Sequence, residues 1–125
     1  MKNLIGFLIF VAIAGHLAWK HYHQHAAPEG MSQTELRTLA ASVRADEVVM
    51  YTTTECGYCH QAKNWLQANG FAFTECNMSI DMHCQSEFRA YGADGTPFLV
   101  IKRGRKEHHM KDGFDSDELV AALRA

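Results

Sequence analysis

The sequence predicts an α/β fold, a mixed four-stranded sheet flanked by helices, with a hydrophobic helix at the N-terminus. Within residues 46–125, extended runs rich in β-branched and aromatic residues alternate with runs of helical period, which is typical of βαβ units. The first two predicted strands are joined through a helix, so they should be parallel. The last two are joined by a short turn at Gly104, so they should form an antiparallel hairpin.

A hydrophobic segment precedes this domain. Residues 4–19 are apolar apart from two glycines and a histidine, and Lys2 lies before them, as in a signal peptide or a membrane anchor. Ala12-Ile13-Ala14 resembles the small-residue cleavage site of a signal peptide. The far end carries residues that are common at a membrane interface, namely Trp19, Lys20 and Tyr22. Residues 1–22 are therefore interpreted as a signal sequence or a transmembrane anchor. The anchor is favoured because cleavage after residue 14 would expose an apolar stub.

Composition and charge limit the compartment and the partners. A signal sequence and an anchor would each deliver the domain outside the cytoplasm, and four cysteines, an even number, are compatible with that. Lys2 and Lys20 lie on opposite sides of the apolar segment, so the positive-inside rule does not decide the orientation and the cytoplasmic face stays open. The formal net charge of −2 argues against nucleic acid as a partner. We expect a monomeric domain that is exported or anchored to the membrane.

Residues 23–31 are polar and are interpreted as a linker. Three histidines alternate around its start: His21, His23 and His25. They are better explained as solvated side chains than as metal ligands, because ordering a flexible linker costs entropy. Ser32 and Glu35 have the spacing of a capping box, and apolar residues follow at helical intervals. This pattern predicts an amphipathic helix over residues 32–45.

The rest of the chain, residues 46–125, is predicted to be one domain. Its elements are predicted as a strand at 48–52, a helix at 57–69, a strand at 71–76, a helix at 81–91, strands at 98–101 and 106–110, and a last helix. Gly70 ends the first of these helices, and Asp115 with Glu118 caps the last. Residues 98–101 are apolar throughout, which predicts a central strand, whereas residues 106–110 are polar, which predicts an edge strand.

The motif Cys56-Gly57-Tyr58-Cys59 lies between a predicted strand and a predicted helix. The first cysteine is therefore placed at a helix N-terminus, where backbone N–H groups and the helix dipole lower the pKa of a thiol. The second thiol, three residues later, can close a disulfide with the first. The motif predicts thiol–disulfide exchange.

From about residue 46 to residue 123 the sequence resembles the thioredoxin fold, and most of all its glutaredoxin branch. Three motifs in order carry the resemblance: the cysteine pair after a strand, Thr96-Pro97 before a strand, and Gly113-Phe114-Asp115 before the last helix. The resemblance implies that Cys56 is the attacking thiolate and that Cys59 is the resolving thiol. It also implies a cis Thr96-Pro97 peptide against the cysteine pair. Substrate or glutathione would be bound near Tyr58, Thr96, Pro97, Gly113, Phe114 and Asp115.

Three positions depart from the usual glutaredoxin pattern. Gly57 stands where proline is usual, Thr53 where a lysine or arginine is common, and Gly113-Phe114 where two glycines are common. The Gly-Phe pair is closer to glutaredoxin-like proteins that are served by thioredoxin reductase. The resemblance therefore implies no tightly bound cofactor, and the electron source is either glutathione or a thioredoxin reductase-type donor. Protein disulfides or glutathione mixed disulfides are the expected substrates.

Three other functions remain as alternatives. The cysteine motif also resembles the active site of bacterial periplasmic disulfide isomerases, which are larger proteins with a dimerisation domain. Together with His60 it matches the C-x-x-C-H pattern of haem attachment, although the strand-rich flanks favour the other fold. A metal-binding module would draw on the four cysteines, but the spacing of the second pair does not suit a zinc site. An iron–sulfur module, as in some glutaredoxins, would hold a cluster between two subunits through the first cysteine and glutathione.

Cys76 and Cys84 are predicted at the end of a strand and near the start of a helix. In an oxidising compartment they could form a structural disulfide that closes a short loop. The alternative is two unpaired thiols, and the sequence leaves both open.

Overall fold

The computed structural model describes the backbone of residues 1–125 and the side chains of all of them except 23–25. The elements in chain order are α1 (Lys2–His25), α2 (Gln33–Ala41), β1 (Val48–Thr52), α3 (Gly57–Ala68), β2 (Thr74–Asn77), α4 (Met82–Ala90), β3 (Phe98–Arg103), β4 (Lys106–Met110) and α5 (Ser116–Arg124). The expectation that His23 and His25 are solvated side chains and not metal ligands concerns side chains that the structure does not describe.

The sheet has the order β2-β1-β3-β4. β1 is parallel to β2 and antiparallel to β3, and β3 is antiparallel to β4. These pairings confirm the predicted mixed sheet, including the parallel pair that is joined through a helix. The pairing also confirms that the apolar residues 98–101 belong to a central strand and residues 106–110 to an edge strand.

The sheet is covered on both faces, because side chains alternate along each strand. One cluster joins the strand residues Val48, Met50, Leu99, Ile101 and Met110 to α2, α3 and α5. A smaller cluster on the other face joins Tyr51, Phe98 and Val100 to Cys84 and Phe88 of α4. Burial on both faces explains why β3 begins with an unbroken apolar run instead of an alternating one.

Strand β2 begins later than predicted, at Thr74 instead of residue 71. Gly70, with φ of 78°, ends α3, and the N–H of Phe71 donates to the carbonyl of Leu66 (2.9 Å). This bond completes a Schellman motif at the helix end. The ring of Phe71 then stacks on Trp65 with centroids 5.6 Å apart. Phe71 is therefore buried in the core from its position just after α3, and it is not part of a strand.

Helix α2 also differs from the predicted range of 32–45. The predicted capping box is present, because Ser32 Oγ accepts from the N–H of Glu35 and the Glu35 carboxylate accepts from the N–H of Ser32. The helix nevertheless ends at Ala41, because the N–H groups of Ser42 and Val43 bond three residues back and tighten the last turn. Residues 45–47 then form a 3-10 turn.

An ion pair ties this turn to the sheet. Glu47 Oε2 accepts from the backbone N–H of Arg44 (2.8 Å) and from Arg103 Nη1 (2.8 Å). Arg103 also donates to the hydroxyl of Ser42 (2.8 Å). The Arg44 N–H and then the Arg103 guanidinium hold the pKa of Glu47 below its ordinary value, against the opposing effect of burial.

Protonating Glu47 is expected to remove the stabilisation that this ion pair provides. Because the folded-state pKa is lowered, the contribution is complete above the ordinary glutamate pKa and is lost as the pH falls through the lowered value. We therefore expect Glu47→Gln to lower the urea midpoint at neutral pH and to converge with the unmodified protein in acid. Glu29→Gln, at an exposed position, is the control. A midpoint difference that stays constant with pH would contradict this role.

Helix α1 extends to His25, beyond the predicted boundary at residue 22. Its segment Lys2–Tyr22 is apolar and long enough to cross a membrane by length and composition, a test that a signal sequence near the N-terminus also passes. The side chains of this segment are exposed. Helix α1 contacts α3.

Candidate active site

The Cys56–Cys59 pair lies at the start of α3. Cys56 is the N-cap residue, and its Sγ accepts from the backbone N–H of Cys59 at 3.1 Å. The two sulfurs form a disulfide with Cα atoms 5.2 Å apart. Cys59 is only 1% exposed, whereas Cys56 is partly exposed. A molecule approaching from solvent therefore meets Cys56 first.

The segment that leads into Cys56 is held from two directions. The backbone N–H of Thr54 donates to Ser79 Oγ (3.0 Å), and Asn77 Nδ2 donates to Thr54 Oγ1 (3.2 Å). On the other side, the Thr54 carbonyl is hydrogen-bonded to His60 Nε2 (3.1 Å). The loop after β2 and the second turn of α3 therefore both fix the backbone just before the cysteine pair.

A cleft of about 820 Å³ opens beside the cysteine motif. Its lining comes from four parts of the chain: Lys20; Tyr58, Gln61, Ala62, Asn64 and Trp65; Gly95, Thr96 and Pro97; and Lys111, Asp112, Gly113 and Phe114. The Thr96-Pro97 peptide is cis, and Pro97 is buried directly before β3. Five of the predicted substrate-binding residues thus share one surface: Tyr58, Thr96, Pro97, Gly113 and Phe114.

Aromatic packing supports this cleft. Phe114 lies against Trp65 with ring centroids 5.4 Å apart, and Trp65 stacks in turn on Phe71. Gly113 has φ of 96°, a left-handed conformation that favours glycine. The turn at Gly113 therefore directs Phe114 onto α3 and brings the segment before α5 to the cleft.

Asp115, the sixth predicted substrate-binding residue, has a structural role in the fold. It is the N-cap of α5, and its Oδ1 accepts from the backbone N–H of Glu118 at 2.8 Å. The carboxylate therefore satisfies one of the N–H groups that a helix leaves unpaired at its start.

Several cleft residues were not predicted. Gln61, Ala62 and Trp65 follow Tyr58 at the i+3, i+4 and i+7 positions, so helical periodicity places them on its face of α3. The helical periodicity of α3 could therefore have predicted these three residues from the sequence. No pattern in the sequence predicts Lys20, because α1 precedes the predicted domain and meets α3 only through a tertiary contact.

A second disulfide joins β2 to α4. Cys76 and Cys84 are bonded, with Cα atoms 5.4 Å apart. Cys84 is 3% exposed and belongs to the smaller core cluster with Tyr51 and Phe98. The bond encloses the loop that carries Asn77 and Ser79, the two residues that hold Thr54.

Two neighbouring polar residues are engaged elsewhere. Lys63 Nζ lies 2.8 Å from Glu75 Oε2, so this cation of α3 pairs with β2. His60 Nε2 is hydrogen-bonded to the carbonyl of Thr54. Among the side chains that the structure describes, no group of three or more His, Cys, Asp or Glu could hold a metal ion.

Comparison with known proteins agrees with this architecture. Residues 48–105 match the Glutaredoxin family model. The crystal structure of the thioredoxin-like protein BC3987 is 24% identical, with a TM-score of 0.51, and the alignment covers 60% of this chain and 97% of that one. The fold is thioredoxin-like.

A mutant of the same protein superposes on the thioredoxin-like domain with 23% identity and a TM-score of 0.50, covering 61% of this chain and 97% of that one. No curated protein is similar enough to this chain to count as a match. The match to the Glutaredoxin family model, together with a redox-capable cysteine pair, indicates oxidoreductase activity in general. The glutaredoxin family typically acts on glutathione or on disulfide substrates.

Proposed function

We propose that this chain is a thiol–disulfide oxidoreductase in which Cys56 attacks the substrate and Cys59 resolves the mixed disulfide. The observation that carries the proposal is the difference between the two sulfurs. Cys56 caps α3 and is partly exposed, whereas Cys59 is 1% exposed. The first can be reached by a substrate, and the second is reached most directly from the first.

The reaction consists of two exchanges. In the reduced protein, the Cys59 N–H, which points at Cys56 Sγ, and the helix dipole both favour a thiolate on Cys56. That thiolate attacks a substrate disulfide, so a bond forms between Cys56 and one substrate sulfur while the other sulfur leaves as a thiolate. Cys59 then attacks Cys56 Sγ and releases the second substrate thiolate. The substrate gains two electrons, and the protein is left with the Cys56–Cys59 disulfide.

The cleft is the proposed substrate site. Its volume of about 820 Å³ lies within the range of sites that bind small molecules and short peptides. The aromatic residues Tyr58 and Phe114 line it together with Thr96 and Gly113. These features support protein disulfides or glutathione mixed disulfides as substrates. We propose glutathione or a thioredoxin reductase-type donor as the source of electrons.

The N-terminal segment supports a location at a membrane. We propose that Lys2–Tyr22 of α1 anchors the domain, or exports it, and that the domain works on the extracytoplasmic side as a monomer. The apolar composition and the exposed side chains of this segment support an environment of lipid instead of water.

The proposal is tested with the full chain in neutral detergent. Dithiothreitol supplies the electrons, and the substrates are a fluorescent mixed disulfide of glutathione and a disulfide-bonded protein. We expect both to be reduced faster than by dithiothreitol alone. The control is the same protein alkylated after reduction, which blocks the thiols. Equal rates with intact and alkylated protein would contradict the proposed function.

A further inference from the structure

The proposed substrate cleft is lined in part by a residue from the N-terminal helix. Lys20, near the end of α1, lines the same cleft as Tyr58 and Phe114, and α1 contacts α3. The match to the Glutaredoxin family model covers residues 48–105, so this part of the cleft wall comes from outside the matched region. Helix α1 therefore contributes a residue to the cleft, in addition to any role in anchoring the domain.

The charge of the cleft differs from the charge of the whole chain. Lys20 and Lys111 reach it from two segments that are far apart in sequence, and Asp112 is the one acidic residue in the lining. The cleft therefore carries an excess of positive charge, although the chain as a whole has a formal charge of −2. An excess of charge of one sign around a cleft attracts a ligand of the opposite sign.

We infer that Lys20, together with Lys111, makes the site selective for disulfides that carry a carboxylate close to the reacting sulfur. The inference rests on the proposed function and specifies its substrate class. In the productive complex, the sulfur to be attacked lies at Cys56 while the carboxylate lies towards the lysines. The bond changes are those of the first exchange: a sulfur bond to Cys56 forms, and the other substrate sulfur leaves. Lys20 acts as a binding residue and takes no part in those bond changes.

Two small substrates of matched size test the charge preference. One is the mixed disulfide of a fluorescent thiol with 3-mercaptopropionate, and the other is the same compound with 3-mercaptopropionamide. The full chain is assayed in a neutral detergent, so that anionic lipid headgroups do not compete for the lysines, with dithiothreitol as reductant. We expect kcat/KM to be about fivefold higher for the carboxylate substrate than for the amide. The difference should come from a lower KM for the carboxylate.

Variants of Lys20 separate binding from structure. We expect Lys20→Glu to abolish the preference by raising the KM for the carboxylate about tenfold, without an equal rise in the KM for the amide. Lys20→Arg should keep the preference. Lys2→Glu, at the opposite end of the same helix, is the matched control and should also keep it. The preference of the unmodified chain should shrink between about 0.05 and about 0.5 M salt, because salt screens charges of this kind.

The outcomes distinguish this inference from the function on which it rests. Turnover of neither substrate by a chain that reduces the glutathione mixed disulfide would overturn the inference alone. Failure to reduce that mixed disulfide and the protein disulfide as well would overturn the proposed function and the inference with it. Turnover of both substrates with equal KM would overturn the inference alone. An equal loss of kcat for both substrates in Lys20→Glu would likewise overturn it, because that result assigns Lys20 a role in positioning the fold.

Discussion

Replacing Cys56 by serine is expected to abolish the turnover of every disulfide substrate, with a loss of at least about a thousandfold. A serine hydroxyl is a far weaker nucleophile than a thiolate at neutral pH, and it cannot form the mixed disulfide. Cys59→Ser should behave differently, because Cys56 is still present and partly exposed. This variant should still exchange with glutathione mixed disulfides, where a second glutathione can resolve the intermediate, but it should lose protein disulfide reduction.

Both variants are to be measured with a glutathione mixed disulfide and with a protein disulfide. Mass spectrometry of Cys59→Ser after exposure to the protein substrate should show a trapped adduct at Cys56, because no internal thiol is left to release it. Urea unfolding of the two reduced variants is the control and should show that both are folded under the conditions of the activity assays. An active Cys56→Ser with an inactive Cys59→Ser would reverse the assignment of the two roles.

The parts of the fold that could be predicted are those governed by local sequence. The strand at Val48–Thr52, the hairpin around Gly104 and the caps of α2 and α5 follow from short patterns of residues, and the structure confirms each of them. The cysteine pair at a helix start belongs to the same class. For the hairpin turn, the two caps and the cysteine pair, the deciding interactions join residues only a few positions apart.

The misplaced start of β2 shows where local patterns fail. Phe71 has high strand propensity, yet its ring is needed against Trp65 in the main core. Its N–H completes the end of α3. Tertiary packing therefore overrides the propensity of this residue. The early end of α2 has a similar cause, because Val43 is buried in that core through a tightened turn.

The residues of the candidate site also fall into those that a local motif predicts and those that only tertiary packing brings to the site. Tyr58, Thr96 and Phe114 were predicted because their motifs resemble those of a known family, and they line one cleft in the structure. Lys20 lines that cleft too, but only the packing of α1 against α3 brings it there. A contact between two elements that are separated by α2 and β1 leaves no pattern in a single sequence.

Opening the second disulfide is expected to lower the free energy of unfolding by about 2 to 3 kcal/mol. Cys76 and Cys84 are 8 positions apart, and closing a loop of that size removes this much conformational entropy from the unfolded chain. The double variant Cys76→Ala, Cys84→Ala avoids placing a hydroxyl in the buried position of Cys84. Urea unfolding of this variant, compared with the unmodified chain in its oxidised form, measures the effect.

The same variant should also loosen the approach to the proposed active site. The disulfide encloses the loop from which Asn77 and Ser79 hold Thr54, and a less constrained loop opens more often. We therefore expect faster hydrogen exchange at the Thr54 amide. We also expect a reduced kcat with the glutathione mixed disulfide and with the protein disulfide. The double variant Cys56→Ala, Cys59→Ala is the control for the loss of a disulfide. In this variant the amides of residues 77–81 should stay protected from hydrogen exchange. Unchanged exchange at Thr54 in the Cys76, Cys84 variant would mean that the hydrogen bonds hold the segment without help from the disulfide.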